Sequence, residues 1–179
     1  MLGIGDVDRK ISDICLSPGW GKLVDFSKAA SSIVIAGHGG NLAVADHIAV
    51  DIARLTGFSK STFCPGSAIN SSSFINDSSF EDWLISWFKS LESCLKPSAT
   101  TLVGISSSGK SVDVINLLSY GSSIGYTTTL ISASPVSPGG GINVVFTDCQ
   151  TYHESEVVSL ALGYQLISDL GFTCPSISS

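Results

Sequence analysis

At 179 residues the chain has room for one domain, or at most two small ones. Nine basic residues against fifteen acidic ones give a net charge of −6 and a pI near 4.8, which argues against general binding of nucleic acid or anionic membrane. Charged residues make up only 13% and hydrophobic ones 44%, with a mean hydropathy of +0.38, so the chain can build a full core, is not intrinsically disordered, and is expected to bury part of its surface against another subunit.

Two short helices are predicted first, near Val7–Cys15 and Gly21–Ala30. Ser32–Ala36 is an apolar, β-branched run stopped by glycines, the pattern of a buried strand. From Asn41 to Thr56 the residues Leu42, Ala45, Ile48, Ala49 and Ile52 fall on one helical stripe, and Gly57 stops it. Ser61–Cys64 reads as a short strand. Phe80–Leu95 reads as a helix carrying Trp83, Leu84, Trp87, Phe88 and Leu91, with Trp83, Trp87 and Phe88 expected to face a partner helix. Thr100–Ile105, Thr127–Ser132 and Ile142–Thr147 are strands; Ser111–Tyr120 and His153–Leu170 are helices. The serine clusters at 71–73, 78–79, 106–108 and 122–123 read as loops.

Five near-continuous apolar strands alternating with helices spell an α/β fold: a doubly wound three-layer αβα sandwich on a five-stranded parallel, flavodoxin-like sheet. One domain is expected over residues 1–179, with N-terminal helices in 1–31, the α/β core in 32–170 and a tail in 171–179. No apolar run reaches the ~18 residues of a membrane helix, and Met1–Arg9 is acidic and short of apolar residues, unlike a signal peptide. Cys15, Cys64, Cys94, Cys149 and Cys174 form no CxxC pair, so neither a zinc knuckle nor a redox dithiol is suggested. They are expected to be reduced cytoplasmic thiols, mostly buried.

Ligands of such sheets bind at the carboxyl ends of the strands, where strand order reverses. Two loops stand out there. Gly37-His38-Gly39-Gly40-Asn41 follows the first strand, and its glycines let a ligand approach the main chain ahead of a helix N-terminus, which favours an anion. It is no dinucleotide fingerprint, because Leu42 stands where the last glycine is needed and no acid follows the second strand. Ser106-Ser107-Ser108-Gly109-Lys110-Ser111 follows the third strand. Together with Gly104 it satisfies the phosphate-loop pattern GxxxxGK[ST], with Asp148 as a metal-holding acid, so a nucleotide-binding loop competes with a serine-hydroxyl cradle for a phosphate monoester. Against the nucleotide, the loop closes the third strand rather than the first, too little chain follows it, and Gly104 falls within the strand.

These segments resemble the SIS (sugar isomerase) domain, in its phosphoheptose isomerase branch. Gly37-His38-Gly39-Gly40-Asn41 with His47 and Asp51 is similar to the family's G-N-G-G-S…H-x-x-x-E; Gly104-Ile-Ser-Ser-Ser-Gly-Lys-Ser111 with Val114-Ile115 is similar to G-I-S-T-S-G-N-S…V-I; Asn76-Asp77 and the closing helix Glu154–Leu170 also find counterparts. The resemblance spans about residues 20–170. It implies that Gly39, Gly40, Asn41, Ser106, Ser107, Ser108 and Ser111 hold a sugar phosphate and that Asp77 touches its hydroxyls. It makes Asp51, His47, Glu156 and Tyr164 the catalytic set, with His47, Asp51 and Glu156 able to hold one divalent metal, zinc, and no nucleotide cofactor. A closing helix shifted by three residues would put His153 and Ala161 in place of Glu156 and Tyr164. Asp51 is one methylene shorter than the family's glutamate, Tyr164 replaces a histidine, and Lys110 replaces a neutral residue.

The implied activity is aldose–ketose isomerisation of a heptose phosphate of the sedoheptulose 7-phosphate type through an enediol, in lipopolysaccharide or capsule synthesis, by a cytoplasmic homotetramer with shared active sites. Asp51 is expected as principal base and to face the cleft at the carboxyl edge of the sheet together with His47 and Glu156. The alternative is a non-catalytic SIS module that binds a sugar phosphate or a protein partner.

Overall fold

The computed structural model describes residues 4–177, so the ends of the expected 1–179 domain lie outside the described residues. Ten of the elements are those the sequence predicts: helices α1 (Ile4–Cys15), α2 (Pro18–Ala29), α3 (Gly40–Leu55), α5 (Trp83–Glu92) and α6 (Val112–Ser123), and strands β1 (Ser32–Gly37), β2 (Ser61–Phe63), β3 (Thr100–Ile105), β4 (Thr127–Ser132) and β5 (Asn143–Phe146). The closing helix, α7, spans Tyr152–Asp169. A short 3₁₀ turn, Pro97–Ala99, leads into β3.

One helix corrects the sequence reading. The serines at 71–73 lie within α4 (Ala68–Asp77), not in a loop, and Ser122–Ser123 end α6. Ser67 caps α4 by accepting from the Asn70 N–H, and the Ser71 and Ser72 hydroxyls donate back to the carbonyls of Ala68 and Ile69. Hydroxyls bonded within the helix do not compete with it, which is why a serine run can stay helical.

The sheet is parallel throughout, in the order β2-β1-β3-β4-β5. Alternate side chains go to opposite faces. Ile33 and Ile35 of β1 and Val103 and Ile105 of β3 join Trp20, Leu23, Ile48, Ile52, Val158 and Leu162 under α2, α3 and α7. Val34, Ala36, Leu102 and Leu130 meet Trp83, Trp87, Phe88, Leu117 and Leu118 under α5 and α6. Trp83, Trp87 and Phe88 are therefore core residues of the chain itself, at 1%, 5% and 0% exposure, rather than a face for a partner helix. Of the five thiols only Cys149 is buried; Cys15 and Cys64 are half-buried, and Cys94 and Cys174 are exposed, against the expectation of mostly buried cysteines.

Candidate functional site

The chain runs from β1 outward to β2, then returns past β1 to β3. Strand order thus reverses between β1 and β3, and such a switch point opens a crevice between the loops that follow the two strands. The glycine loop and the serine loop are those two loops. Gly37 pairs with Ile105, so His38 and Ser106 leave the sheet side by side.

In the serine loop, Ser106 is fully buried and Ser107 nearly so, while Ser108 is half-exposed. The Ser106 hydroxyl donates to Ser111 Oγ at 2.9 Å and accepts the Ser111 N–H at 3.2 Å. Gly109, at φ +66°, lets the loop turn so that its N–H donates to the Ser106 carbonyl. The N–H groups of Ser107 and Ser108 make no hydrogen bond among the described residues and remain available to an anion. A cavity of about 240 Å³ opens beside Ser107 and Ser108 towards the ends of β4 and β5. A roomier hollow of about 540 Å³ between α1, α2 and β5 is lined by Asp148 but by none of the residues expected to hold the sugar phosphate or to act in catalysis.

Asn41 bridges the two loops: its side-chain N–H donates to Ser107 Oγ at 3.0 Å, and its buried carbonyl oxygen has no partner. An unpartnered buried acceptor costs on the order of 1–3 kcal/mol, so a hydroxyl-bearing ligand that supplies a donor is favoured there. Gly39 sits at φ +60° and Gly40 lies directly against the Glu156 carboxylate, which a Cβ there would have to displace. Glu156 therefore occupies the positive end of α3, where the helix dipole stabilises negative charge. A phosphate at Gly39 and Gly40 would meet that carboxylate, so the serine loop is the better anion site.

His47, Asp51 and Tyr164 come together on facing surfaces of α3 and α7. His47 Nε2 lies 2.7 Å from the Tyr164 hydroxyl and 3.2 Å from Asp51 Oδ2, and the Tyr164 O–H donates to Asp51 Oδ2 at 3.2 Å. Arg54 donates to Asp51 Oδ1 at 2.9 Å. Partial burial, and then the Asp51 carboxylate it donates to, raise the Tyr164 hydroxyl above the ordinary phenol value, so it stays protonated and acts as a donor. Tyr164 rather than Ala161 is thus the α7 partner of His47, and His153 is solvent-exposed, 3.9 Å from Glu156 Oε2.

Two expectations need correction. First, α3 runs away from the carboxyl edge of the sheet, so at 1.5 Å per residue Asp51 lies about 16 Å from Gly40. The trio does not face the cleft of its own chain. Second, Glu156 lies about 12 Å along α7 from Tyr164 by the same rise, and is not part of the trio. Among the described residues no three His, Cys, Asp or Glu side chains are grouped to hold a metal ion, and the Arg54 guanidinium borders the Asp51 carboxylate. This donor set does not fit zinc. Asp77 is exposed at the end of α4, accepting from the Asn76 side chain. The phosphate-loop pattern is likewise not a nucleotide cradle in form: Gly104 is an interior residue of β3, packed under Val114 and Leu118, and β5, which Asp148 follows, is two strands away from β3.

The motifs gave no notice of a further cluster. Asp113, fully buried in the first turn of α6, accepts the Trp83 indole N–H at 3.0 Å and lies 3.2 Å from His38 Nδ1.

Solved structures share this architecture. A phosphoheptose isomerase from Neisseria gonorrhoeae superposes with a TM-score of 0.71 at 17% identity, over 92% of this chain and 91% of the other. The chain has the sugar isomerase domain fold. A phosphoheptose isomerase from Francisella tularensis gives 0.67 at 10% identity, over 93% of each chain. The sugar isomerase domain of the RpiR transcription factor from Sphaerobacter thermophilus gives 0.61 at 17% identity, over 93% and 86%. No protein-family model matches the chain, and no curated protein matches it at a significant level. In this sugar isomerase fold the serine loop and the glycine loop flank the switch point, and no helix among the described residues is long and apolar enough to cross a membrane.

Proposed function

We propose that the protein grips a sugar phosphate on the serine loop and interconverts its aldose and ketose forms, with a heptose phosphate as substrate, in cytoplasmic synthesis of surface polysaccharide. The observation that carries this is the pair of free N–H groups at Ser107 and Ser108, beside buried hydroxyls and the unpartnered Asn41 oxygen, at the one crevice where strand order reverses. Free backbone N–H groups in a loop that leads into a helix N-terminus suit a phosphate, and the Asn41 oxygen suits a sugar hydroxyl. Binding energy from the remote phosphate orients the reacting end.

The chemistry needs a base near C2, a donor to the carbonyl oxygen and a path for the proton. Asp51 is the base in this reading, with Tyr164 donating and His47 linking the two. Because the trio lies away from the cleft of its own chain, it serves the serine loop of a neighbouring subunit in a homotetramer. The phosphoheptose isomerases that share this architecture support the reading through fold alone.

One observation favours a second reading, a non-catalytic sugar-phosphate-binding module. Arg54 is engaged with Asp51, which weakens it as a base, and the transcription-factor neighbour has the same fold. A single set of measurements separates the two. Purified protein should be stabilised in thermal-shift assays by heptose and hexose phosphates but not by Mg-ATP, should isomerise one of them, and should scatter light as a tetramer. Ser108→Ala should weaken phosphate binding about ten- to a hundredfold, the loss of one hydrogen bond to a charged group. Binding without turnover selects the module; stabilisation by ATP alone removes both readings.

A further inference from the structure

We propose that His38, held by Asp113, is a catalytic residue that carries a proton between the two reacting oxygens of the sugar; this rests on the sugar-phosphate isomerase reading above. Four observations place it. His38 is the first residue after β1 and stands beside Ser106 across the switch-point crevice, because Gly37 and Ile105 are paired in the sheet. Its Nδ1 lies 3.2 Å from Asp113 Oδ2, and the same carboxylate oxygen accepts the Trp83 indole N–H at 3.0 Å. Asp113 is fully buried, whereas the imidazole is about half exposed, at 47%. The ring packs edge-on against Phe80, with centroids 5.0 Å apart.

These contacts fix three properties that a proton carrier needs. The negative charge of the Asp113 carboxylate, 3.2 Å from Nδ1, favours a proton on that nitrogen and leaves the Nε2 lone pair free. Trp83 from α5 and the first turn of α6 hold the carboxylate, so the ring is oriented from behind rather than by substrate. Packing on Phe80 restricts its rotation. Within one chain His38 is, moreover, the imidazole at the loop edge, since His47 lies about 10 Å down α3 from Gly40.

Aldose–ketose exchange moves two protons: one from C2 to C1 and one from O2 to O1. The carbon proton is the task of the base. His38 takes the second: the O2–H bond breaks as its proton goes to Nε2, the imidazolium formed is balanced by the Asp113 carboxylate, and the N–H bond then breaks as O1–H forms. The ring returns to its starting state and no other reactant is consumed. Asp113 acts through His38 as a positioning residue.

The test uses full-length protein, a panel of pentose, hexose and heptose phosphates, and inorganic phosphate as a probe of the serine loop alone. His38→Asn keeps a half-exposed polar side chain of similar reach but cannot carry a proton. It should lower kcat about 10²–10⁴-fold with KM and inorganic phosphate affinity little changed. Asp113→Asn, with folding checked by circular dichroism, should lower kcat by less, leave KM alone and move the imidazole ¹⁵N signals of His38 towards the other tautomer. If Asp113→Asn fails to fold, His38→Asn and the wild-type ¹⁵N shifts decide. A kcat in His38→Asn equal to wild type, or a wild-type imidazole without the Nδ1–H tautomer, overturns the inference and leaves the isomerase reading standing. Wild-type protein that binds a sugar phosphate without turnover overturns both the inference and the isomerase, leaving the module. Wild-type protein that binds neither sugar phosphate nor inorganic phosphate removes the whole sugar-phosphate reading.

Discussion

Asp51→Asn is expected to lower isomerisation about 10²–10⁴-fold, the usual contribution of one acid–base group, while inorganic phosphate binds as before. The side chain is nearly buried; one oxygen accepts from Arg54, and the other accepts from Tyr164 and lies 3.2 Å from His47 Nε2. Asparagine has the same shape, and its carbonyl oxygen can keep the Arg54 contact, so the fold survives. What is lost is the lone pair that accepts the carbon-bound proton. The start of α3, beside the crevice that holds the serine loop, is about three helical turns from Asp51, which is why phosphate affinity is the control. Solvent deuterium appearing at C1 and C2 of the sugar, followed by NMR, reads the step directly. Full exchange in Asp51→Asn would place the base elsewhere, and Glu156, beside the glycine loop, would be the next carboxylate to replace.

The sheet was legible because strands buried on both faces are apolar along most of their length, as Ile33–Ala36 and Leu102–Ile105 are. Helix α4 was not, because it buries no side chain and therefore leaves no periodic stripe. Trp83, Trp87 and Phe88 announced a helix correctly but not what it packs on. A low charge fraction is a property of the whole chain and cannot say which face meets a partner. In the site, the spacing of His47 and Asp51 is one helical turn, so their meeting could be read directly. Glu156 and Tyr164 are eight residues apart, which puts them on one helix face but about two turns from each other, too far to share one site. The meeting of His38 with Asp113 and Trp83 depends on which strands are neighbours and on how α5 packs over α6. No local pattern encodes that.

The close approach of α3 and α7 that assembles His47, Asp51 and Tyr164 depends on one glycine. A Cβ on Gly163 would stand 2.5 Å from both Cγ1 and Cδ1 of Ile48, and 3.1 Å from its Cγ2. Ile48 is 5% exposed in the core and, being β-branched in a helix, has little freedom at χ1. Two effects then oppose each other in Gly163→Ala. Alanine in a helix interior is favoured over glycine by about 1 kcal/mol. Overpacking a filled interface costs about 1–3 kcal/mol. The clash is with a side chain that cannot swing aside, so the second effect wins and urea unfolding should show a net loss of stability. Because Tyr164 is the next residue, α7 moving away from α3 should also lengthen the 2.7 Å contact with His47 and lower turnover. Ile48→Ala removes the atoms that clash. In that background Gly163→Ala should change sign and stabilise, by the helix propensity alone, giving a coupling of about 2 kcal/mol in the double-mutant cycle. Additive effects, or stabilisation by Gly163→Ala in the wild-type chain, would mean that the helices do not cross as closely as Ile48 and Gly163 require.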